Sequence, residues 1–185
     1  MPASARFRLL KTRLGELRRH LLPAKFSPTG LYSDRALDRA RGYRVLVHAE
    51  FEAFVEDRCW NLAQNTIQRW KADKRSHHVL MCILARCGPK READLTIMEY
   101  VGQAGNTYYQ SVVDKNHGIR EQNLVDLLQP IGIERSSLDL TWLSTVDSFG
   151  SDRGEVAHRS IGAQKPIDPK TELVLRPHDH VSCVA

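Results

Sequence analysis

The chain has 185 residues, a formal net charge of +5 and 42% hydrophobic residues, which is enough to bury the core of one domain without disulfides or metal ions. Its apolar runs are shorter than the roughly 20 residues that span a bilayer, and its basic N-terminus lacks the apolar stretch of a secretory signal. We therefore expect a soluble, cytoplasmic protein that does not bind membranes. The positive charge favours a polyanionic partner without identifying one.

The first predicted element is a basic amphipathic helix over residues 5–22. Its apolar residues recur at steps of three and four: Phe7, Leu10, Leu14, Leu17 and Leu21. This spacing places them on one face of a helix, with arginine and lysine on the other faces. The basic residues either follow a phosphate backbone or form a solvated surface. Pro23 and the segment 27–30 then predict a loop, because proline and glycine interrupt helical backbone.

The second predicted element is a long helix from Asp34 to Trp70. No proline or glycine interrupts residues 43–86, and Ser33-Asp34 supplies a capping residue. At 1.5 Å per residue such a helix is about 55 Å long, which is typical of a helical bundle. Its aromatic residues, Trp60 among them, either stack on bases or, as is commoner at helical spacing, belong to the core.

A shorter helix is predicted over residues 77–86, and Gly88-Pro89 ends it. The following segment, residues 95–106, contains Gly102 and Gly105. Because glycine is a poor helix former, we predict an irregular segment there.

Two further helices are predicted downstream, over residues 119–128 and 136–149, with a tight connection at 131–133. Gly150 is expected to end or bend the second of them, and helical spacing resumes over residues 152–161. No alternating strand pattern of useful length occurs. The sequence therefore predicts an all-α fold.

Two segments resemble a known family. The stretch 116–124, Asn-His-Gly-Ile-Arg-Glu-Gln-Asn-Leu, with 127–133 after it, is similar to the middle of HEPN domains of the RiboL-PSP type. The stretch 153–158, Arg-Gly-Glu-Val-Ala-His, supplies the Arg-x-x-x-x-His signature of that superfamily, and 48–57 is similar to its long acidic-apolar helix. The resemblance covers roughly residues 35–165.

The resemblance implies an up-and-down bundle of four to six helices. Such bundles dimerise so that two motifs face one cleft and form a metal-independent endoribonuclease site without cofactors. The implied partners are RNA, a second copy of the chain and possibly an antitoxin protein. The implied setting is prokaryotic defence or a toxin–antitoxin system.

The residues of the motif suit this chemistry. His158 is the expected general acid/base, because a pKa near 6.5 allows proton exchange at neutral pH. Arg153 is expected to hold the scissile phosphate, since its guanidinium stays charged and donates several hydrogen bonds. Glu155 either orients the His158 imidazole or pairs with Arg159, which is a further candidate for substrate binding.

Asn116 and His117 are the remaining candidates for substrate binding. The other interpretation of His117, which we favour, is that it caps a turn before Gly118, and Asn116 leaves the same two possibilities. Without the family, Arg153 and His158 would be interpreted as a surface ion-pair pattern at the start of a helix.

The spacing of the motif poses a geometric problem. Side chains five residues apart point about 140° apart around one helix. Either Arg153 lies at a looser helix start after Gly150-Ser151, or the working pair is assembled across a dimer interface. Family members often place a polar residue directly after the arginine, whereas this chain has Gly154, which weakens the expected site.

Two other functional classes stay open. The first is a non-catalytic helical module that dimerises or binds RNA or protein. The second is a zinc enzyme, for which His78, Cys82 and Cys87, or the set His178, His180 and Cys183, are incomplete ligand sets. We predict no metal site, and the four cysteines are expected to be free thiols.

The predicted domain organisation has three parts. Residues 1–30 form the basic N-terminal helix and its loop, and residues 31–165 form the HEPN-like helical domain. Residues 166–185 form an irregular C-terminal tail, in which 173–175 is a possible short apolar run, and this tail is not assigned to the core.

Overall fold

The computed structural model describes residues 4–88, 95–158 and 166–173. Within these ranges the chain forms six α-helices and no strand: α1 (Ala5–Leu21), α2 (Asp34–Asp73), α3 (His78–Leu84), α4 (Ile97–Asp114), α5 (Glu121–Leu128) and α6 (Leu140–His158). The all-α prediction is confirmed. None of the described helices has the length and apolar character that crossing a membrane requires.

The chain divides into two compact units. Unit 1 comprises Met1–Phe54, Gly118–Glu121 and Asp139–Ala185, and unit 2 comprises Val55–His117 and Gln122–Leu138. The first boundary falls inside α2, after Phe54. The domain division at residues 30 and 165 stays a prediction.

Unit 1 is built on the amphipathic stripe of α1. Leu10, Leu14 and Leu17 are buried, as their spacing predicts. The ring of Phe7 packs against that of Phe54 on α2, with centroids 6.1 Å apart. The helix begins at Ala5 because the Ser4 side chain accepts the backbone N–H of Phe7 at 3.2 Å, which satisfies one of the free donors of the first turn. The predicted basic helix is confirmed.

Unit 2 has its own core. Ile67, Leu80 and Val101 form a buried cluster contributed by α2, α3 and α4. Tyr109 on α4 is completely buried, and its hydroxyl donates to the carbonyl oxygen of Leu127 at 2.8 Å. Without this bond, the buried tyrosine hydroxyl would have no hydrogen-bond partner.

The predicted irregular segment at residues 95–106 is wrong, because α4 is regular from Ile97 onward. Thr96 and Glu99 form a capping box, in which each side chain accepts the other residue's backbone N–H. Gly105 lies inside the helix, where an added Cβ would come within 3.1 Å of Ile67 Cδ1. The glycine is therefore explained by close packing, which offsets its low helix propensity.

The connection after α5 follows the prediction. Residues Gln129–Ile131 form one 3₁₀ turn that contains Pro130. Gly132 then has φ of +86°, in the left-handed region that glycine adopts without steric cost. The tight connection at 131–133 is confirmed.

The last helix differs from the prediction at both ends. Arg135–Ser137 form a 3₁₀ turn, and α6 begins only at Leu140. Gly150 does not end the helix, which continues through Gly154 to His158. An added Cβ at residue 150 would lie 2.8 Å from Arg120 Cγ, so the glycine makes room for a neighbouring chain segment.

The described part of the C-terminal segment contains buried residues as well as exposed ones. Ile167 is 8% exposed and Glu172 is 1% exposed. Glu172 lies in a 3₁₀ turn, Thr171–Leu173, and its carboxylate pairs with the Arg44 guanidinium of α2. Residues 166–173 therefore contribute to unit 1, whereas residues 174–185, with most of the possible run at 173–175, lie outside the described part.

Candidate functional site

The three residues of the predicted catalytic motif lie on the last turns of α6. Arg153 is partly buried, and its Nε atom is shielded from solvent without a hydrogen-bond partner among the described residues. Asp152, the residue before Arg153, could neutralise the guanidinium, but the two form no ion pair in the described part of the chain. No described carboxylate therefore neutralises the Arg153 guanidinium, although its Nε atom is itself shielded from solvent.

The continuity of α6 excludes one of the two geometric alternatives for the motif. Because α6 begins at Leu140, Arg153 lies several turns inside it, and the proposed looser helix start at Gly150-Ser151 is wrong. An α-helix separates positions 153 and 158 by about 140° around its axis and about 7.5 Å along it. The backbone of His158 is described but its side chain is not, and Arg159 lies outside the described residues.

A buried apolar face holds α6 in unit 1. Its buried members are Trp142, Leu143, Val146 and Phe149. The helix starts after Asp139, whose carboxylate accepts the backbone N–H of Trp142 at 2.7 Å, as an N-terminal cap does. The position of the motif is therefore set by packing along the preceding turns.

A surface ion pair also holds the middle of α6. The Arg120 guanidinium donates to the Asp147 carboxylate at 3.1 Å, and the backbone N–H of Glu121 donates to the same oxygen at 3.2 Å. The hydrogen bond from Arg120, followed by that from Glu121, lowers the pKa of Asp147. Asp147 is thus ionised at neutral pH.

Glu155 and Gly154 complete the described part of the motif. Glu155 is partly buried and takes part in further contacts. No described atom lies within 4 Å of a Cβ placed on Gly154. A larger side chain therefore fits at residue 154, and the absence of a polar group there does not arise from crowding.

Asn116 and His117 belong to unit 2. The Asn116 amide donates to Glu56 Oε1 at 2.7 Å, which is a structural contact with α2. His117 is exposed, and the next residue, Gly118, has φ of +142°. That conformation favours glycine, but residues 116–119 form no turn, so both interpretations of His117 stay predictions.

His48 was not among the predicted site residues. It is 1% exposed on α2, and its Nδ1 lies 3.5 Å from Glu52 Oε2. Its ring stacks on that of Phe149 of α6, with centroids 6.0 Å apart. His48 is too buried to contact substrate but lies against the helix that carries the motif. In the sequence, His48 was marked only by its place in the stretch 48–57, which resembles the long helix of the family.

The cysteines and histidines do not assemble a metal site in the described part of the chain, where no group of three potential ligands converges. His78 Nε2 and Cys82 Sγ lie 3.5 Å apart without further ligands. The second set, at 178, 180 and 183, lies outside the described residues. Cys59, Cys82 and Cys87 are free, and burial raises the pKa of Cys59 to about 12.

Comparison with known protein families identifies the family of the chain. The sequence model of the family described as RiboL-PSP-HEPN matches residues 9–176. This range is wider than the motif-based resemblance over 35–165, because it includes most of α1 and the buried 3₁₀ turn near the C-terminus. No curated protein and no solved structure matches the chain.

Proposed function

Because the chain belongs to the RiboL-PSP-HEPN family, we propose that it is a metal-independent endoribonuclease. It acts as a homodimer in prokaryotic defence or in a toxin–antitoxin system, where an antitoxin protein is its second partner. The observation that carries the proposal is Arg153, a guanidinium without a described acidic partner, five residues before His158 on α6. Such a cation suits the stabilisation of a phosphate whose charge grows during cleavage.

The proposed reaction needs no metal. His158 takes the proton of a ribose 2′-hydroxyl, and the 2′-oxygen attacks the adjacent phosphorus. The bond from phosphorus to the 5′-oxygen breaks, a proton is returned to that oxygen, and a 2′,3′-cyclic phosphate remains. Arg153 binds the phosphate oxygens throughout. Glu155 orients the His158 imidazole.

The geometry of α6 supports a site made by two chains. A straight helix separates positions 153 and 158 by about 140° around its axis, which favours a site to which two copies contribute. A two-fold axis brings the same surface of both copies together, so that each chain supplies what the other lacks. Arg153 of one protomer then works with His158 of its partner.

The first test is cleavage of single-stranded RNA by the purified protein in the presence of a metal chelator. His158→Ala and Arg153→Ala should each lower the rate at least about 100-fold. His20→Ala and Arg69→Ala are matched controls, because both residues are exposed on helices far along the chain from the motif. Undiminished cleavage by His158→Ala would contradict the proposal.

A mixing experiment tests the shared site. Arg153→Ala and His158→Ala are each inactive, but exchange of protomers makes mixed dimers. If the pair is formed across the interface, one of the two sites in each mixed dimer is intact, and about a quarter of wild-type activity returns. If each chain supplies its own pair, activity stays absent. Light scattering should show a dimer, and a monomeric active enzyme would exclude the shared site.

The second candidate function is a non-catalytic module that binds RNA or protein. Gly154 favours it, because this position offers no side chain to contact the ribose or phosphate. The exposed basic residues of α1, such as Arg18 and Arg19, favour a polyanionic partner. In that case RNA binds without cleavage, His158→Ala changes nothing, and Arg18→Glu with Arg19→Glu weakens binding.

A further inference from the structure

A second candidate site lies in unit 2, in a shallow, open cleft of about 550 Å³ between α2 and α4. Clefts that bind small molecules measure roughly 300–1,000 Å³. Two helices line it, with Trp60 and Gln64 on α2 and Asn106, Gln110 and Asp114 among the residues on α4. The cleft contains none of the predicted catalytic residues.

Two amide side chains in the cleft are joined to each other. Gln64 Nε2 lies 2.7 Å from Asn106 Oδ1, and both residues are partly buried. Gln64 keeps its second N–H and its carbonyl oxygen for a third partner, and Asn106 keeps its NH₂ group. The cleft therefore presents a donor and an acceptor side by side.

An aromatic wall lies beside this amide pair. Trp60 lines the cleft and is partly buried. Its ring lies parallel to that of Tyr109, with centroids 6.4 Å apart and 13° between the planes. Because Tyr109 is completely buried and hydrogen-bonded, it holds the indole in place. The ligand would meet a rigid, flat apolar surface.

The charge of the cleft disfavours an anionic group within it. Asp114 is the one ionisable residue among those that line it, and its carboxylate accepts from Gln110 Nε2 at 2.7 Å. A lining carboxylate, without a lining arginine or lysine, disfavours phosphate inside the cleft. The site thus suits an uncharged planar ligand whose edge carries a donor and an acceptor.

We propose that this cleft binds a single unpaired nucleobase, which stacks on Trp60 and bonds through its edge to Gln64 and Asn106. Every nucleobase has an aromatic face, and stacking on a protein aromatic ring is a common basis of single-strand binding. Amide side chains form paired hydrogen bonds with base edges, as with adenine. The occupation of this cleft by a base of an RNA substrate rests on the proposed function, whereas the binding of free nucleosides does not.

Isothermal titration with adenosine, guanosine, cytidine and uridine tests the proposal. Purines, which offer the larger stacking area, should bind more tightly than pyrimidines, and ribose and inorganic phosphate should not bind. Gln64→Met and Asn106→Leu keep the size of each side chain and remove its polar edge, so each should weaken purine binding about tenfold. Gln68→Met is the matched control, because Gln68 is an exposed amide one turn further along α2 and does not line the cleft.

Thermal unfolding of each variant separates a lost contact from a lost fold. Nucleoside binding that is equal in Gln64→Met, Asn106→Leu and Gln68→Met, all folded, overturns the proposal. Ribose binding as strong as adenosine binding, or no nucleoside binding at millimolar concentration, overturns it as well. His158→Ala should bind nucleosides normally. If purines bind but RNA is not cleaved, this proposal stands and the proposed ribonuclease function fails.

Discussion

Arg44→Met should destabilise unit 1 by about 3–5 kcal/mol, because it leaves a buried carboxylate without its partner. The Glu172 side chain is 0% exposed and that of Arg44 is 11% exposed. The guanidinium makes two hydrogen bonds to the carboxylate, one of them from Nε to Oε2 at 2.9 Å. The expected loss is a large fraction of the 5–15 kcal/mol that stabilises a typical folded domain.

Replacing both members of the ion pair should destabilise the protein much less than replacing one of them. Glu172→Leu alone leaves a buried guanidinium and should cost a similar amount. Arg44→Met with Glu172→Leu removes both charges, and its cost should be far below the roughly 6–10 kcal/mol sum of the single substitutions. This comparison separates the cost of an unpaired charge from the net contribution of the pair.

Denaturant unfolding followed by fluorescence measures the effect in unit 1. The chain has 3 tryptophans, and in a background of Trp60→Phe and Trp70→Phe the remaining Trp142 reports on unit 1. Glu50→Gln is the control, because its ion pair with Arg13 has side chains 36% and 44% exposed. Breaking that exposed pair should leave the denaturation midpoint almost unchanged.

Two results would refute this interpretation of the buried pair. One is a loss below about 1 kcal/mol for Arg44→Met. The other is a double variant whose loss equals the sum of the two single losses, since additivity would mean that the two groups do not interact.

Three further predictions concern residues at separate positions. Gly154→Ala should raise the free energy of unfolding by about 0.5–1 kcal/mol. If the motif lacks a polar group at this position, Gly154→Asn but not Gly154→Ala should increase the rate of RNA cleavage. Equal rates for the two variants would show that no polar group is needed there. Asp147→Asn should cost at most about 1 kcal/mol at neutral pH. Because Arg120 lowers the pKa of the folded carboxyl, this contribution is present above the ordinary value of 3.8 and is lost as the pH falls through the lower folded pKa, so a stability difference unchanged by acid would contradict it. Cys59, with its pKa of about 12, should resist thiol reagents at about pH 8 while Cys82 reacts, and mass spectrometry should find no label on Cys59.

The sequence predicted the helices whose signals are local. The stripe of α1 and the uninterrupted run of α2 both survive in the structure, because apolar spacing and the absence of proline and glycine act along the chain itself. Asp34 was predicted as the first residue of α2, and the structure begins the helix there. Pro130 likewise predicted the end of α5.

Two of the errors about helices share a cause. Gly105 and Gly150 were interpreted as helix breakers, yet each lies within a helix where a Cβ would crowd a neighbouring side chain. Propensity describes an isolated helix, whereas tertiary packing can require the smallest residue in its interior. That requirement depends on residues distant in sequence, such as Ile67 and Arg120, and no local pattern contains it.

The candidate site was predictable only in part. Arg153 and His158 were found through the motif, and the continuity of α6 then changed the geometry expected of them. His48 and the Gln64–Asn106 pair depend on contacts between residues far apart in the chain. Spacing along the sequence does not reveal such contacts.

The Arg44–Glu172 pair also bears on the order in which the chain folds during synthesis. Its two residues are 128 positions apart, whereas unit 2 consists of residues between 55 and 138. Contacts distant in sequence form more slowly than local ones, and domains fold as their residues leave the ribosome. Unit 2 can therefore fold while α1 and the first half of α2 await their partners, and the helix that carries Arg153 and His158 belongs to the unit completed last.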